Sequence, residues 1–379
     1  MRICIMTQPL GTNYGGLLQA YALQTVLKNM GHEVWTEDRK ENELSVYNRA
    51  KRYVKQLLIR LLSPVSSRFQ KTYFPTPEQE RVIRQYTDRF IRQYITTTIP
   101  ICSTNKDLLD QYQFEAYVVG SDQVWRPMYS WGLSNYFLDF TKGRSVRRVA
   151  YAASFGTDKW EFTTRQTKEC AAFARMFDAV SVREDSGVGL CAKYLGVQSI
   201  RLSDPTMLLD QKDYIRVIES EDYQDIGFGL LTYILDATKD KWKAIQMVSE
   251  TLGLASFKVM PEEQFHRVGP DRIDRCIYPS VSTWLRGFRD ADYVVTDSFH
   301  GTVFSILFEK PFIVIANHSR GLSRFTSLLK VYGLESRLIF SPLDLSSDLI
   351  RQPIDWPRIR EIRRKEKDKA MKFLCDNLS

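Results

Sequence analysis

The feature that most constrains this chain is an alternation of short apolar runs with stretches of helical periodicity. The first run is 2–6. A polar, glycine-bearing loop follows (7–16), then a helical stretch over 16–30 that Gly31 is suited to stop. A second run occupies 33–36, and further runs fall at 116–119, 148–152, 179–182 and 199–202, with helices expected at 163–176 and 184–195. Runs that are apolar throughout, rather than at every second position, suit parallel strands covered on both faces. The expected class is therefore α/β.

Asp204-Pro205-Thr206 interrupts the pattern, and a second series begins beyond it. Strands are expected at 228–234, 255–259, 292–296 and 311–316, and helices at 240–252, 281–289 and 301–308. This gives two tandem Rossmann-like domains with parallel sheets. The first spans 1–208, the second 209–350, and a helix in 351–379 is expected to cross back to the first. Ligands of such sheets lie beyond the carboxyl ends of the strands, here in the cleft between domains.

Residues 44–115 fit the alternation least and are expected to form a mostly helical insertion. Within it, 49–71 holds seven Lys or Arg and no Asp or Glu. Its apolar residues over 54–65 recur at helical spacing. This segment reads either as a helix packed on the protein with a solvated basic face, or as a peripheral contact with an anionic membrane. The net charge of +8 suits anionic partners. No nucleic-acid-binding motif accompanies it, so nucleic acid is not expected. The six cysteines lack metal-ligand spacing, and no apolar run approaches the ~20 residues of a spanning helix. The expectation is a cytoplasmic protein with reduced thiols and no metal.

Five segments carry candidate chemistry. In Asp297-Ser298-Phe299-His300-Gly301, a strand gives way to a helix. His300 is the candidate general acid or base, and Ser298 and Gly301 are candidates for the donor side, where a helix N-terminus attracts anions. Arg183 follows the run 179–182 and can grip a carboxylate or phosphate; its structural alternative is an ion pair with Glu184 or Asp185. Asn13, Tyr14 and Gly15 open the first helix and are candidates for acceptor binding. So are Ser121, Gln123 and Trp125, where amide and indole suit a sugar. Asp122 beside them is the candidate acceptor of a hydroxyl proton. Asn317, Arg320 and Arg324 follow 311–316 and complete the donor set.

In order, the segments NYGGLLQAYALQ (13–24), VVGSDQVW (118–125), YAASFG (151–156), SVREDSG (181–187), SDPTMLL (203–209) and TDSFHGTVFSILFEKPFIV (296–314) resemble motifs of the polysaccharide pyruvyl transferase family. The resemblance implies an architecture similar to the GT-B glycosyltransferases. It implies transfer of a pyruvyl group from phosphoenolpyruvate to two hydroxyls of a sugar, forming a cyclic ketal, without a further cofactor. The acceptor would be a sugar, often carried on a lipid diphosphate, in surface or capsular polysaccharide synthesis. The family's acid corresponds to His300 and a donor-binding arginine to Arg183. Where some members carry Arg-Leu before the histidine, this chain has Ser298-Phe299, so Arg320 or Arg324 is expected to supply the charge. The competing expectations are a nucleotide-sugar-dependent glycosyltransferase and a non-catalytic glycan assembly protein of the same fold.

Overall fold

The computed structural model describes residues 1–40, 72–102, 106–130, 132–221 and 227–379. The basic segment 49–71 lies outside the described residues. Two parallel sheets organise the chain. The first contains β1 (Arg2–Met6), β2 (Glu33–Arg39), β3 (Thr97–Ile101), β4 (Ala116–Val119), β5 (Arg147–Ala153), β6 (Ala179–Val182) and β7 (Ile200–Arg201), in the order β3-β2-β1-β4-β5-β6-β7. The second contains β8 (Leu230–Tyr233), β9 (Ser256–Phe257), β10 (Tyr293–Thr296), β11 (Phe312–Ile315) and β12 (Leu338–Ile339), in the order β12-β11-β10-β8-β9. Strand order reverses between β1 and β4 in the first sheet and between β8 and β10 in the second. Such reversals open a crevice at the carboxyl ends of the strands.

The central strands β4, β8, β10 and β11 are buried along their whole length, as expected of sheets covered on both faces. Helices α1 (Tyr14–Asn29), α2 (Pro77–Tyr94), α3 (Thr164–Ala174), α4 (Asp185–Leu190), α5 (Gln211–Glu219), α6 (Lys239–Leu252), α7 (Val281–Asp290), α8 (Phe299–Leu307), α9 (Ser323–Tyr332) and α10 (Trp356–Leu378) supply the cover. One apolar cluster runs from Ile3 through Tyr14 and Trp284 to Leu378, so the two sheets share packed side chains. Tyr14 stacks on Trp284 with ring centroids 5.4 Å apart, and its hydroxyl donates to the Pro279 carbonyl.

Three sequence expectations need correction. Within 44–115, expected to be mostly helical, the described residues hold α2 and a 3-10 helix (Lys106–Tyr112) but also β3, which pairs with β2. Pro100 obscured that strand; proline is admitted there because β3 is at the sheet edge. The helix expected over 184–195 is α4 followed by a π-helical turn, Cys191–Leu195. The third helix-bound correction concerns α8, which starts at Phe299, so His300 sits inside its first turn.

Helix α10 lies against both sequence halves. Glu366 accepts from Arg201 at the end of β7, and Arg363 donates to the Leu209 carbonyl and to Asp210. Phe373 meets the ring of Tyr151 on β5.

Candidate functional site

A cavity of about 330 Å³ opens between the two sheets, lined by the β1–α1 and β4 turns on one side and by the ends of β8, β10 and β11 on the other. Asn13, Tyr14, Asp122 and Gln123 face Tyr233, Ser298, His300, Arg320 and Arg324 across it. Met260, Gln264 and Tyr278 also line it.

His300 is fixed by the start of α8. Ser298 caps that helix, accepting from the Gly301 amide at 3.4 Å. The imidazole is buried, and its Nε2 lies 3.6 Å from Oδ2 of Asp204. Opposite, the ring packs on Gly15: a β-carbon there would sit 2.0 Å from Nδ1. Gly15 therefore makes room for the histidine.

Asp204 is the hub behind the cavity. Its Oδ1 accepts from the Thr206 amide (3.0 Å) and hydroxyl (2.7 Å), and its Oδ2 from Arg183 Nη1 (2.8 Å) and the Ser121 hydroxyl (3.0 Å). Burial pushes this carboxyl up, but His300, Arg183 and Thr206 together outweigh it and hold the group well below the usual carboxylate range. Asp122 has a left-handed backbone (φ 71°), and its carboxylate accepts from its neighbour's amide, Gln123 N, at 2.8 Å and from Asn13 Nδ2 at 3.4 Å.

The arginines divide into distinct settings. Arg183 does not pair with Glu184 or Asp185. It is bound to Asp204, lies 3.5 Å from Asp122, and is shielded from the cavity by Phe299, whose ring centroid is 4.4 Å from the guanidinium. Its Nε and Nη2 have no hydrogen-bond partner. Arg324 is equally buried but lines the cavity. It donates to the Arg320 carbonyl at 2.8 Å and leaves Nε unpartnered. Burial, with Arg183 nearby, lowers it to about 10. Arg320 lines the cavity too, but it is engaged by Asp236 through two hydrogen bonds of 2.6 and 3.1 Å.

Other candidate residues play different parts from those expected. Trp125 offers no face to a sugar. It is fully buried, stacks on Phe137 at 4.9 Å and donates Nε1–H to the Tyr136 carbonyl at 2.8 Å. Ser121 is also fully buried, with its hydroxyl on Asp204 rather than in the cavity. Gly301 permits packing rather than ligand approach, since a β-carbon would lie 2.2 Å from Thr296 Oγ1. Asn317 donates to Asp236 and Asp297 behind the cavity wall. Asp297 is structural: it accepts from the amides of Leu235 and Asp236 and from Lys241 Nζ at 2.6 Å.

The sequence reading missed Asp204 and Phe299 as site residues. An acid at a strand end before Pro-Thr, within the family-like segment 203–209, is the signal for Asp204. Among the described residues no cluster of His, Cys, Asp and Glu could hold a metal, and no helix is long and apolar enough to cross a membrane.

Solved structures share this fold. Arabidopsis thaliana UGT89C1 complexed with UDP-L-rhamnose aligns over 98% of this chain and 98% of its own, with a TM-score of 0.52 and 10% identity. The N-terminal domain of Candida albicans trehalose-6-phosphate phosphatase aligns over 100% of this chain and 96% of its own, with a TM-score of 0.50 and 10% identity. Those likenesses fix the architecture as that of the GT-B glycosyltransferases. Among curated proteins no sequence matches this chain. The polysaccharide pyruvyl transferase family model, in contrast, matches residues 13–319, which include Asn13, Asp122 and His300 of the cavity, whereas Arg320 and Arg324 lie just beyond the matched range. This chain belongs to the polysaccharide pyruvyl transferase family.

Proposed function

We propose that the chain transfers the pyruvyl group of phosphoenolpyruvate to two hydroxyls of a sugar, forming a cyclic ketal during surface polysaccharide synthesis. The observation that carries this reading is the convergence of His300 and Arg324, a proton carrier and a buried cation, on one cavity. Arg324 takes an anionic group of the donor, with the first-turn amides of α8 beside it. Arg183 adds positive charge from behind Phe299. Arg320 contributes only if the donor draws it away from Asp236.

His300 protonates the methylene carbon, which becomes the methyl group and leaves an oxocarbenium-like centre. One sugar hydroxyl adds there, losing its proton to Asp122. Phosphate departs with the oxygen that linked it to carbon, and the second hydroxyl closes the ring. Of the two hydroxyl protons, one balances the proton placed on carbon and the other leaves with phosphate. A positioned acid contributes ~10²–10⁴ in rate, and fixed cations around a multiply charged donor contribute further. Asn13 and Gln123 stand beside Asp122 on the acceptor side. No additional cofactor enters this scheme. A lipid-diphosphate-linked sugar at a membrane face is the proposed acceptor class, with 49–71 as the proposed contact.

The test is phosphate release from phosphoenolpyruvate on addition of lipid-linked sugars, with the product read by mass. Release of nucleoside diphosphate from a nucleotide sugar instead would support the glycosyltransferase reading and overturn this one.

A further inference from the structure

We infer that Asp204 is a positioning residue that ties the proton carrier of the second sheet to the cationic side of the first. The inference rests on the pyruvyl-transfer reading of the cavity. The two carboxylate oxygens of Asp204 have separate tasks. Oδ1 is satisfied locally by Thr206, closing the turn Pro205–Leu208. Oδ2 reaches across the molecule to Arg183 (2.8 Å), Ser121 (3.0 Å) and His300 Nε2 (3.6 Å). Capping a turn needs an oxygen but no charge. A fully buried negative charge is costly unless a cation and hydrogen-bond donors face it, and here Arg183 and the Ser121 hydroxyl do, with the His300 ring beside them.

The arrangement gives the two nitrogens of His300 different work. Nε2 is buried, without a hydrogen-bond partner, and faces Asp204. Nδ1 lies on the edge that runs over Gly15 and is the nitrogen left for a substrate. In the neutral ring, the proton then resides on Nε2 toward the carboxylate. In the charged ring, Nδ1–H is the donor and the carboxylate stabilises the cation, as a buried carboxylate orients an imidazole elsewhere. The other charged groups sharing this surrounding are Arg183 behind Phe299, Asp122 on the β4 turn and Arg324 on α9. Asp204 thus orients the imidazole while fixing the nearest buried arginine.

The experiment compares Asp204→Asn with Thr206→Val in the full chain. Asp204→Asn keeps the shape and removes the charge; Thr206→Val removes the hydroxyl donor to Oδ1 and leaves the charge and the amide donor. Asp204→Asn is expected to lower kcat for phosphate release about a hundredfold with little change in KM, and Thr206→Val to stay within about threefold. Equal losses in the two variants would reduce Asp204 to a turn cap and overturn the inference. If Asp204→Asn does not fold, Asp204→Ser, which retains a capping oxygen, replaces it. A substrate-free readout separates this inference from the reading beneath it. Nitrogen-15 NMR, with the His300 signals identified by their loss in His300→Ala, is expected to show the Nε2–H tautomer in the wild type. In Asp204→Asn that tautomer is no longer enforced. An unchanged tautomer would overturn the positioning role. A changed tautomer in a wild type that releases no phosphate from phosphoenolpyruvate would uphold positioning and overturn pyruvyl transfer.

Discussion

Nε2 of His300, in the first turn of a helix following the second sheet, lies 3.6 Å from Oδ2 of Asp204, which follows the last strand of the first. Neither residue forms the site alone. The histidine lines the cavity, and the carboxylate beside it is bound to a buried arginine. The pair therefore spans the two sheets.

Replacing His300 by Ala removes the proposed acid without enlarging a hydrophobic core. Turnover is expected to fall by ~10²–10⁴, the range of a positioned acid, with the circular dichroism spectrum unchanged. Steady-state phosphate release checks this. A loss of less than threefold would show that the proton comes from elsewhere.

Gly15→Ala tests the same group from its other edge. The added β-carbon would fall 2.0 Å from Nδ1, so the ring must move. Displacing a reacting group by about 1 Å costs on the order of 10²-fold in rate. Gly11→Ala, where nothing lies within 4 Å of the new carbon, is the control and is expected to keep wild-type kcat.

Arg324→Ala removes the buried cation that lines the cavity. A hydrogen bond to a charged group is worth ~1.5–3 kcal/mol, so KM for phosphoenolpyruvate is expected to rise about tenfold to a hundredfold. KM for the acceptor is expected to stay within about threefold. A larger effect on the acceptor would exchange the two sides of the cavity.

Trp125 is expected to act on stability alone. Trp125→Ala deletes a fully buried ring stacked on Phe137 and should cost ~3–5 kcal/mol in denaturant unfolding. The milder Trp125→Phe is expected to leave the acceptor KM unchanged, since the indole reaches no ligand.

Glu37 predicts a pH effect unconnected with catalysis. Burial pushes its carboxyl up to about 7, against the opposing pull of Arg39, whose Nη1 lies 3.5 Å away. In the unfolded chain a glutamate titrates near ~4.3, so between these values the folded state binds more protons. Its contribution is fully present below the unfolded value and is lost as pH rises through the folded one. Urea unfolding at about pH 5 and about pH 8 should show a decline of up to about 3 kcal/mol that Glu37→Gln lacks.

Much of the architecture was legible because parallel strands buried on both faces read as unbroken apolar runs. β4, β10 and β11 are such runs, and each ends in a turn that lines or supports the cavity. β3 and β12 were not legible. One contains a proline tolerated only at an edge, and the other is two residues directly after a charged 3-10 turn, Glu335–Arg337. His300 and Asp122 could be placed at the cleft because strand ends of one polarity gather there. What the sequence could not reveal was which side chains turn inward. Trp125 went to the core, Arg183 went beneath Phe299, and Asp204 drew both Ser121 and Arg183 to itself. Those outcomes depend on contacts spanning tens of residues, which local spacing does not encode.

The most direct test of pyruvyl transfer uses phosphoenolpyruvate labelled with carbon-13 in the methylene group, incubated with the protein and lipid-linked sugars in deuterium oxide. The account predicts release of phosphate and a sugar ketal whose labelled methyl carries deuterium, both abolished by His300→Ala. Recovery of all label in phosphoenolpyruvate, with nucleoside diphosphate released when nucleotide sugars are supplied, would contradict it.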